Sequence, residues 1–129
     1  MNISTLLLVF AGGAAGSVLR WGAGVALGHR CQGQFPLATF FINVSGAFLI
    51  GALSTFFSVE WHHRHESDLA ALILTGFLGG YTTFSSYQME SVTLYQEQAY
   101  RITFLYWFGS VVAGLVAAAL GAWAVRLTA

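Results

Sequence analysis

Four long apolar segments, separated by short polar stretches, make up nearly the whole chain. They run from about Ile3 to Leu27, Phe35 to Val59, Leu69 to Leu94 and Ile102 to Leu127. Each is close to the ~20 residues that an α-helix needs to cross the hydrocarbon layer of a bilayer. The first is too long for a signal peptide and no basic residue precedes it, so it is also predicted to be a span. The pattern predicts an all-α membrane protein, with residues 1–129 forming a single domain of four transmembrane helices.

The third segment contains a stretch, Thr75 to Glu90, whose middle is poor helix-forming sequence: TGFLGGYTTFSSYQME. Gly79 and Gly80 lower helix propensity, and the hydroxyl residues that follow compete for backbone hydrogen bonds. In lipid, a helix break persists only where it is buried in protein or lines a polar cavity. The stretch therefore predicts a third helix that is broken at mid-membrane, with an ion or substrate site at the break. Close helix packing through small residues is the alternative interpretation.

Composition supports the membrane assignment and excludes several function classes. The chain is 57% hydrophobic and only 8% charged, with no net charge and no lysine, whereas soluble domains carry roughly 25% charged residues. Binding to nucleic acid or to anionic lipid through a polybasic segment therefore has no support. Cys31 is the only cysteine, so an intramolecular disulfide is excluded.

The five arginines are divided almost evenly between the two sides of the membrane. With four spans, Arg64 and Arg126 lie on one side, while Arg20, Arg30 and Arg101 lie on or near the other. Orientation normally follows an excess of positive charge on the cytoplasmic side, and this chain has no clear excess. The balance predicts insertion in both orientations and an antiparallel homodimer about a two-fold axis in the membrane plane. A single orientation fixed by other factors is the alternative.

Three polar residues within the spans are candidates for function. Arg20 either extends to the interface beside Trp21 or lines an aqueous vestibule that concentrates anions. Asn43 either joins helices by hydrogen bonds, which is the more common role, or coordinates a passing ion. Glu90 lies one turn beyond Tyr87 and is either a buried functional acid or a residue of the membrane surface. The sequence leaves these alternatives open.

Aromatic and hydroxyl side chains recur at helical spacing in the third and fourth spans. Phe84 and Tyr87 share a helix face, and the positive edges of their rings can accommodate an anion. In the fourth span, Tyr106, Ser110 and Gly114 follow at a spacing of four. Such a polar row predicts one wall of a pore.

Other motifs point to packing or to solvent. Gly12–Gly16 and Gly24–Gly28 have the GxxxG spacing that brings helix backbones close together. The loop EWHHRHESD contains three histidines, His62, His63 and His65. Their spacing matches no common metal site, so a solvated loop is predicted.

GGYTTFSSYQME, together with LRW at residues 19–21 and TFFIN at residues 39–43, resembles the Fluc family of small fluoride channels of bacterial membranes. The resemblance covers all four spans. It implies an antiparallel, dual-topology homodimer in the bacterial inner (plasma) membrane, with two pores that export fluoride passively and without enzymatic activity. The main rival is a small dual-topology multidrug or cation exporter. Such exporters rely on an acidic residue in the first helix, and span one has none.

The resemblance also assigns roles to individual residues. It implies a fluoride pore, a vestibule arginine and a structural sodium ion at the dimer interface, held by backbone carbonyls. The expected residues are Thr39, Asn43, Phe84, Tyr87, Tyr106 and Ser110 for the pore, Arg20 for the vestibule, and Gly79 and Thr82 for Na⁺. Glu90, which is nominated by its own position rather than by the resemblance, is a possible acid at the pore end. Two positions depart from the family pattern: Tyr87 stands where a second phenylalanine is usual, and Gly114 stands where a serine is expected.

Overall fold

The computed structural model describes residues 2–30, 34–60 and 66–128. In order, these form α1 (Ile3–Arg30), α2 (Leu37–Glu60), α3 (Glu66–Ala70), a π-helical segment (Ala71–Leu78), α4 (Gly79–Tyr81), α5 (Phe84–Gln96) and α6 (Tyr100–Arg126). Four stretches are long and apolar enough to cross a membrane: Ile3–Gly28, Leu37–Ser58, Asp68–Gln96 and Tyr100–Arg126. The prediction of four transmembrane helices is confirmed.

The third span is broken within the stretch Thr75 to Glu90, as predicted, at the two threonines that follow the glycines. Gly79 is helical, with φ −63° and ψ −36°, whereas Thr82 (φ −77°, ψ 159°) and Thr83 (φ −150°, ψ 115°) are extended. Thr83 caps α5, because its hydroxyl accepts a hydrogen bond from the Ser86 N–H at 3.2 Å. The interruption therefore separates α4 from α5 immediately before Phe84.

The glycines of the third span allow close packing against α1. A Cβ on Gly12 would overlap the carbonyl oxygen of Leu72, and a Cβ on Gly16 would overlap that of Phe77. From the other side, a Cβ on Gly80 would overlap the Gly13 carbonyl oxygen. Only residues without a side chain permit this approach of two backbones. The predicted packing role of Gly12–Gly16 is confirmed.

The second glycine pair of α1 has no such neighbour. A Cβ on Gly24 or Gly28 would meet nothing within 4 Å among the described parts of the chain. The prediction that this pair packs closely is therefore wrong within the subunit, because α1 and the third span meet only along the first half of α1.

A second close crossing joins α2 to α6, again through glycine. A Cβ on Gly51 would overlap the carbonyl oxygen of Ala118, and one on Gly121 would overlap that of Phe48. The subunit thus consists of two tightly packed pairs, α1 with the first half of the third span and α2 with α6. The α4–α5 break lies beside α2, so residues of α2, α5 and α6 surround it.

Candidate functional site

A single asparagine on α2 satisfies the backbone of the break. Asn43 Nδ2 donates to the Thr83 carbonyl oxygen at 2.9 Å, and Asn43 Oδ1 accepts from the Thr83 N–H at 2.9 Å. Both groups of an extended residue in an apolar span would otherwise lack partners, at a cost of about 1–3 kcal/mol each. The amide nitrogen has a second N–H. Asn43 therefore joins two helices and still has one donor N–H that this bridge does not use.

Two carbonyl groups at the break have lost the N–H donors that a continuous helix would supply. In an α-helix, Gly79 O would accept from Thr83 N–H, and Thr82 O would accept from Ser86 N–H. Here Thr83 N–H donates to Asn43, and Ser86 N–H donates to Thr83 Oγ1. Carbonyls freed at a broken helix can coordinate a cation such as Na⁺. The backbone chemistry at Gly79 and Thr82 fits the predicted sodium site.

A cavity of about 350 Å³ lies beside the break. Its lining includes six residues of the predicted site: Asn43, Gly79, Thr82, Phe84, Tyr87 and Ser110. Ser110 is distinctive, because its Oγ is buried and has no hydrogen-bond partner among the described residues. A buried hydroxyl without a partner is uncommon in folded proteins and calls for an explanation. Its position on the cavity wall makes it a candidate donor to a bound anion.

Aromatic rings form a continuous row from the break to α6. The ring centroids of Phe84 and Tyr87 are 5.8 Å apart, and those of Tyr87 and Tyr106 are 5.1 Å apart. Phe35 meets Tyr106 edge-on at 5.4 Å. These separations are typical of interacting rings, which fix one another's orientation. Phe84 begins the row and is 71% exposed in the subunit.

The remaining polar residues of the predicted site form a separate cluster centred on Glu90. Thr39 Oγ1 donates to Glu90 Oε1 at 2.7 Å, and the Tyr106 hydroxyl donates to Glu90 Oε2 at 2.6 Å. Tyr106 is fully buried at 0% exposure. Glu90 is therefore half-buried, and two hydroxyls from α2 and α6 hold its carboxyl group. None of the three lines the cavity beside the break.

Arg20 lies apart from both groups. It is half-buried on α1, a helix that contributes no residue to the cavity lining. Cys31 and the three loop histidines fall outside the described residues. Within the described part of the chain, no cluster of His, Cys, Asp and Glu side chains could hold a metal ion.

Comparison with known proteins places this chain in an established family. The family model described as "CrcB-like protein, Camphor Resistance (CrcB)" matches residues 7–122. The chain is 48% identical over 123 residues to "Fluoride-specific ion channel FluC 2" of Yersinia pseudotuberculosis, covering 95% of this chain and 98% of the relative. It is 50% identical over 111 residues to "Fluoride-specific ion channel FluC 1" of Brucella melitensis, with coverages of 86% and 90%. The chain belongs to the CrcB (FluC) family.

This membership confirms the resemblance found in the sequence. A more distant relative, "Fluoride-specific ion channel FluC 1" of Listeria monocytogenes, is 42% identical over 116 residues, covering 89% of this chain and 92% of the relative. The relatives are bacterial, and the chain has four apolar spans. It is a multi-pass protein of the bacterial plasma membrane.

The two departures from the usual CrcB pattern have different structural outcomes. The Tyr87 hydroxyl donates to the Trp107 carbonyl oxygen at 2.9 Å and so links α5 to α6. Tyr87 lines the cavity, but its hydroxyl proton is engaged by Trp107, which does not line it. At Gly114, a Cβ would meet nothing within 4 Å among the described residues. A serine there would fit without displacing a neighbour.

Two residues that support the site, Thr83 and Tyr81, are not among those predicted from the sequence. Thr83 supplies the backbone groups that bind Asn43 and caps α5, and its position three residues before Ser86 is a recognisable capping signal. Tyr81 shares a hydrogen bond of 3.0 Å with Ser45, which ties α4 to α2 immediately before the break. No sequence pattern predicts the contact between Ser45 and Tyr81, because they lie on different helices and come together only in the folded structure.

Proposed function

We propose that this chain is a fluoride-selective channel that conducts F⁻ passively out of the cell. The observation that carries the proposal is the unpartnered, buried hydroxyl of Ser110 in a cavity beside the Asn43-bridged break. Donors without an internal partner in a largely apolar wall suit an anion that has given up its water. The printed names of the relatives, fluoride-specific ion channels, support the same ion.

The chemistry of fluoride matches this donor set. Fluoride is small and strongly hydrated, so a pore must replace its water with closely spaced hydrogen-bond donors. Ser110 offers an O–H, Asn43 offers the N–H that its bridge leaves free, and Phe84 and Tyr87 offer positive ring edges. A narrow path with such groups favours a small anion with concentrated charge over larger halides.

Passive conduction is sufficient for export. Hydrogen fluoride is a weak acid that crosses a membrane in its neutral form and ionises inside, which traps fluoride in the cytoplasm. The negative membrane potential then drives the anion outward through an open pathway. No coupling ion or energy source is needed.

The proposal includes an antiparallel homodimer with Na⁺ at its centre. Phe84 is largely exposed in the single subunit and Gly79 faces open space, so a second copy would cover the break. The near-even distribution of arginines favours neither orientation. Na⁺ would be held by the Gly79 and Thr82 carbonyls, and its charge would stabilise carbonyl groups that have lost their N–H donors.

Flux measurements test the conduction proposal. Purified protein in liposomes should release fluoride once a potassium ionophore lets K⁺ leave with the anion, because the membrane voltage that would stop efflux then does not build up. Chloride release should be far slower. Phe84→Ile should reduce fluoride flux by about tenfold or more, because the ring edge beside the ion is lost. Phe104→Ile is the matched control, since Phe104 is exposed on α6 and lies outside the cavity. Equal release of fluoride and chloride by the unaltered protein would contradict the proposal.

Cys31 provides a test of the two orientations. In sealed cells, a membrane-impermeant maleimide should label about half of the thiol if antiparallel pairs place one copy on each face. Detergent should then expose the remainder. Complete labelling in intact cells, or none, followed by full reactivity in detergent, would show a single orientation and remove the antiparallel dimer.

A further inference from the structure

Beyond the Asn43 bridge, α2 holds two further residues of the break. The Tyr81 hydroxyl lies 3.0 Å from Ser45 Oγ. A Cβ on Gly46 would overlap the methyl carbon of Thr82, so α2 also approaches the break closely at that residue. The residues held by α2 therefore follow one another directly along the chain, up to the one that the bridge holds.

The hydrogen bond between Tyr81 and Ser45 has a defined direction. Ser45 Oγ also donates to the Ile42 carbonyl oxygen at 3.1 Å. A hydroxyl has one proton, so both bonds exist together only if the Tyr81 hydroxyl donates to Ser45. Tyr81 is only 6% exposed, and its ring stacks on that of Phe77 with the centroids 6.3 Å apart. Water therefore cannot readily replace this bond when one partner is removed.

Tyr81 carries the only side chain of α4. This single turn has the sequence GGY, and its glycines offer backbone contacts alone. The rotation of the turn about its own axis is therefore held by a side-chain bond only at Tyr81. Gly79 belongs to the same turn, two residues earlier. The direction of its carbonyl group consequently depends on the bond between Tyr81 and Ser45.

The carbonyl of Thr82 is directed from the other side of the break. In a planar trans peptide, the carbonyl group and the N–H of the next residue point in opposite directions. The Thr83 N–H points to Asn43 Oδ1, so the Thr82 carbonyl points away from Asn43. The two carbonyl groups that have lost their helical N–H donors are thus directed by separate residues of α2.

We propose that Tyr81 and Ser45 are positioning residues for the Na⁺ site. Their bond fixes the Gly79 carbonyl relative to that of Thr82. The inference rests on the Na⁺ of the proposed function, and it adds the residues that set how firmly this ion is held. Apparent affinity falls with the fraction of protein in the binding-competent arrangement. Without the bond, the α4 turn would adopt other rotations, and the ion would leave sooner.

Release of radiolabelled Na⁺ from purified protein tests the proposal. Protein purified in labelled Na⁺ is transferred to unlabelled NaCl, and the label that remains bound is counted after rapid desalting. Tyr81→Phe keeps the ring that stacks on Phe77 but removes the hydroxyl. Loss of one hydrogen bond changes an equilibrium by about fivefold, so release should be about fivefold faster. Tyr95→Phe is the matched control on an exposed ring and should release Na⁺ at the unaltered rate.

Ser45→Ala breaks the same bond from α2 and should also speed release. Combined with Tyr81→Phe, it should add little, because both changes remove one interaction. Ser91→Ala is the matched control, since Ser91 also donates to a carbonyl of its own helix, at 2.6 Å, but lies on α5 beyond the break. A merely structural loss would lower the thermal unfolding midpoint without changing the rate of Na⁺ release.

The outcomes separate this inference from the proposed function. If the unaltered protein retains no labelled Na⁺, the sodium ion of the proposed function is overturned, and the inference with it. If the unaltered protein retains Na⁺ but either Tyr81→Phe or Ser45→Ala releases it at the unaltered rate, the sodium site stands and the positioning role is wrong. Effects that multiply in the double variant would show two independent contributions and would likewise overturn the inference.

Discussion

An Asn43→Leu variant is expected to lose both fluoride flux and most of its thermal stability. Leucine fills a similar volume but leaves the Thr83 N–H and carbonyl without partners in an apolar span. Each buried group left unpaired costs about 1–3 kcal/mol, so the subunit should be destabilised by about 2–6 kcal/mol. Thermal unfolding in detergent and flux from liposomes would measure the two effects.

Asn43→Asp separates the structural role of this residue from its role toward the ion. A carboxylate oxygen can still accept from the Thr83 N–H, but the donor to the Thr83 carbonyl is lost. A negative charge beside the cavity also opposes an anion. Fluoride flux should therefore fall even where the dimer still assembles. Normal stability and flux in the leucine variant would contradict the account of the break.

A Gly16→Ala variant is expected to separate α1 from the third span. The added Cβ would overlap the Phe77 carbonyl oxygen, and it would lie 2.8 Å from the Tyr81 backbone nitrogen. Both neighbours are backbone atoms, so the conflict can be relieved only by moving a helix. Overpacking of this kind costs about 1–3 kcal/mol, and more where backbone must shift. Size-exclusion profiles after heating would show earlier loss of the assembled protein.

Gly24→Ala is the matched control for this effect. The position lies on the same helix and has GxxxG spacing, but its Cβ would meet nothing within 4 Å in the described structure. Alanine also favours helix over glycine by up to about 1 kcal/mol. The control should be neutral or slightly stabilised. If both variants lost assembled protein equally on heating, glycine itself would be required at these positions, rather than the close contact at Gly16.

The spans could be predicted from the sequence because hydropathy is a local property. The predicted limits differ from the observed ones by a few residues at most, as for Leu69–Leu94 against Asp68–Gln96. The sequence also predicts the break within the right stretch, Thr75 to Glu90, but it does not single out Thr82 and Thr83 as the residues at which the helix stops. The position of the break depends on Asn43, which is distant in sequence and pairs with the Thr83 N–H and carbonyl in place of helical hydrogen bonds.

In the candidate site too, residue types could be predicted from the sequence, but contacts between different helices could not. The cavity brings together Asn43, Phe84, Tyr87 and Ser110, which residue type and helical spacing indicate as candidates and which the family resemblance assigns to the pore. The half-buried position of Glu90 could not be predicted, because it depends on Thr39 of a different helix and on the long reach of Tyr106. Of the two glycine pairs in α1, only geometry distinguishes the one that packs from the one that does not.

The Asn43 bridge also has a consequence for the order in which the protein is made. Thr83 and its partner are 40 residues apart, and the partner comes first along the chain. During synthesis, α2 therefore leaves the ribosome before the third span does. The extended residue then enters a bilayer in which its hydrogen-bonding partner is already present, so the backbone of the break need not remain unpaired in lipid. If the third span came before α2 in the chain, the Thr83 backbone groups would enter the bilayer without their hydrogen-bonding partner.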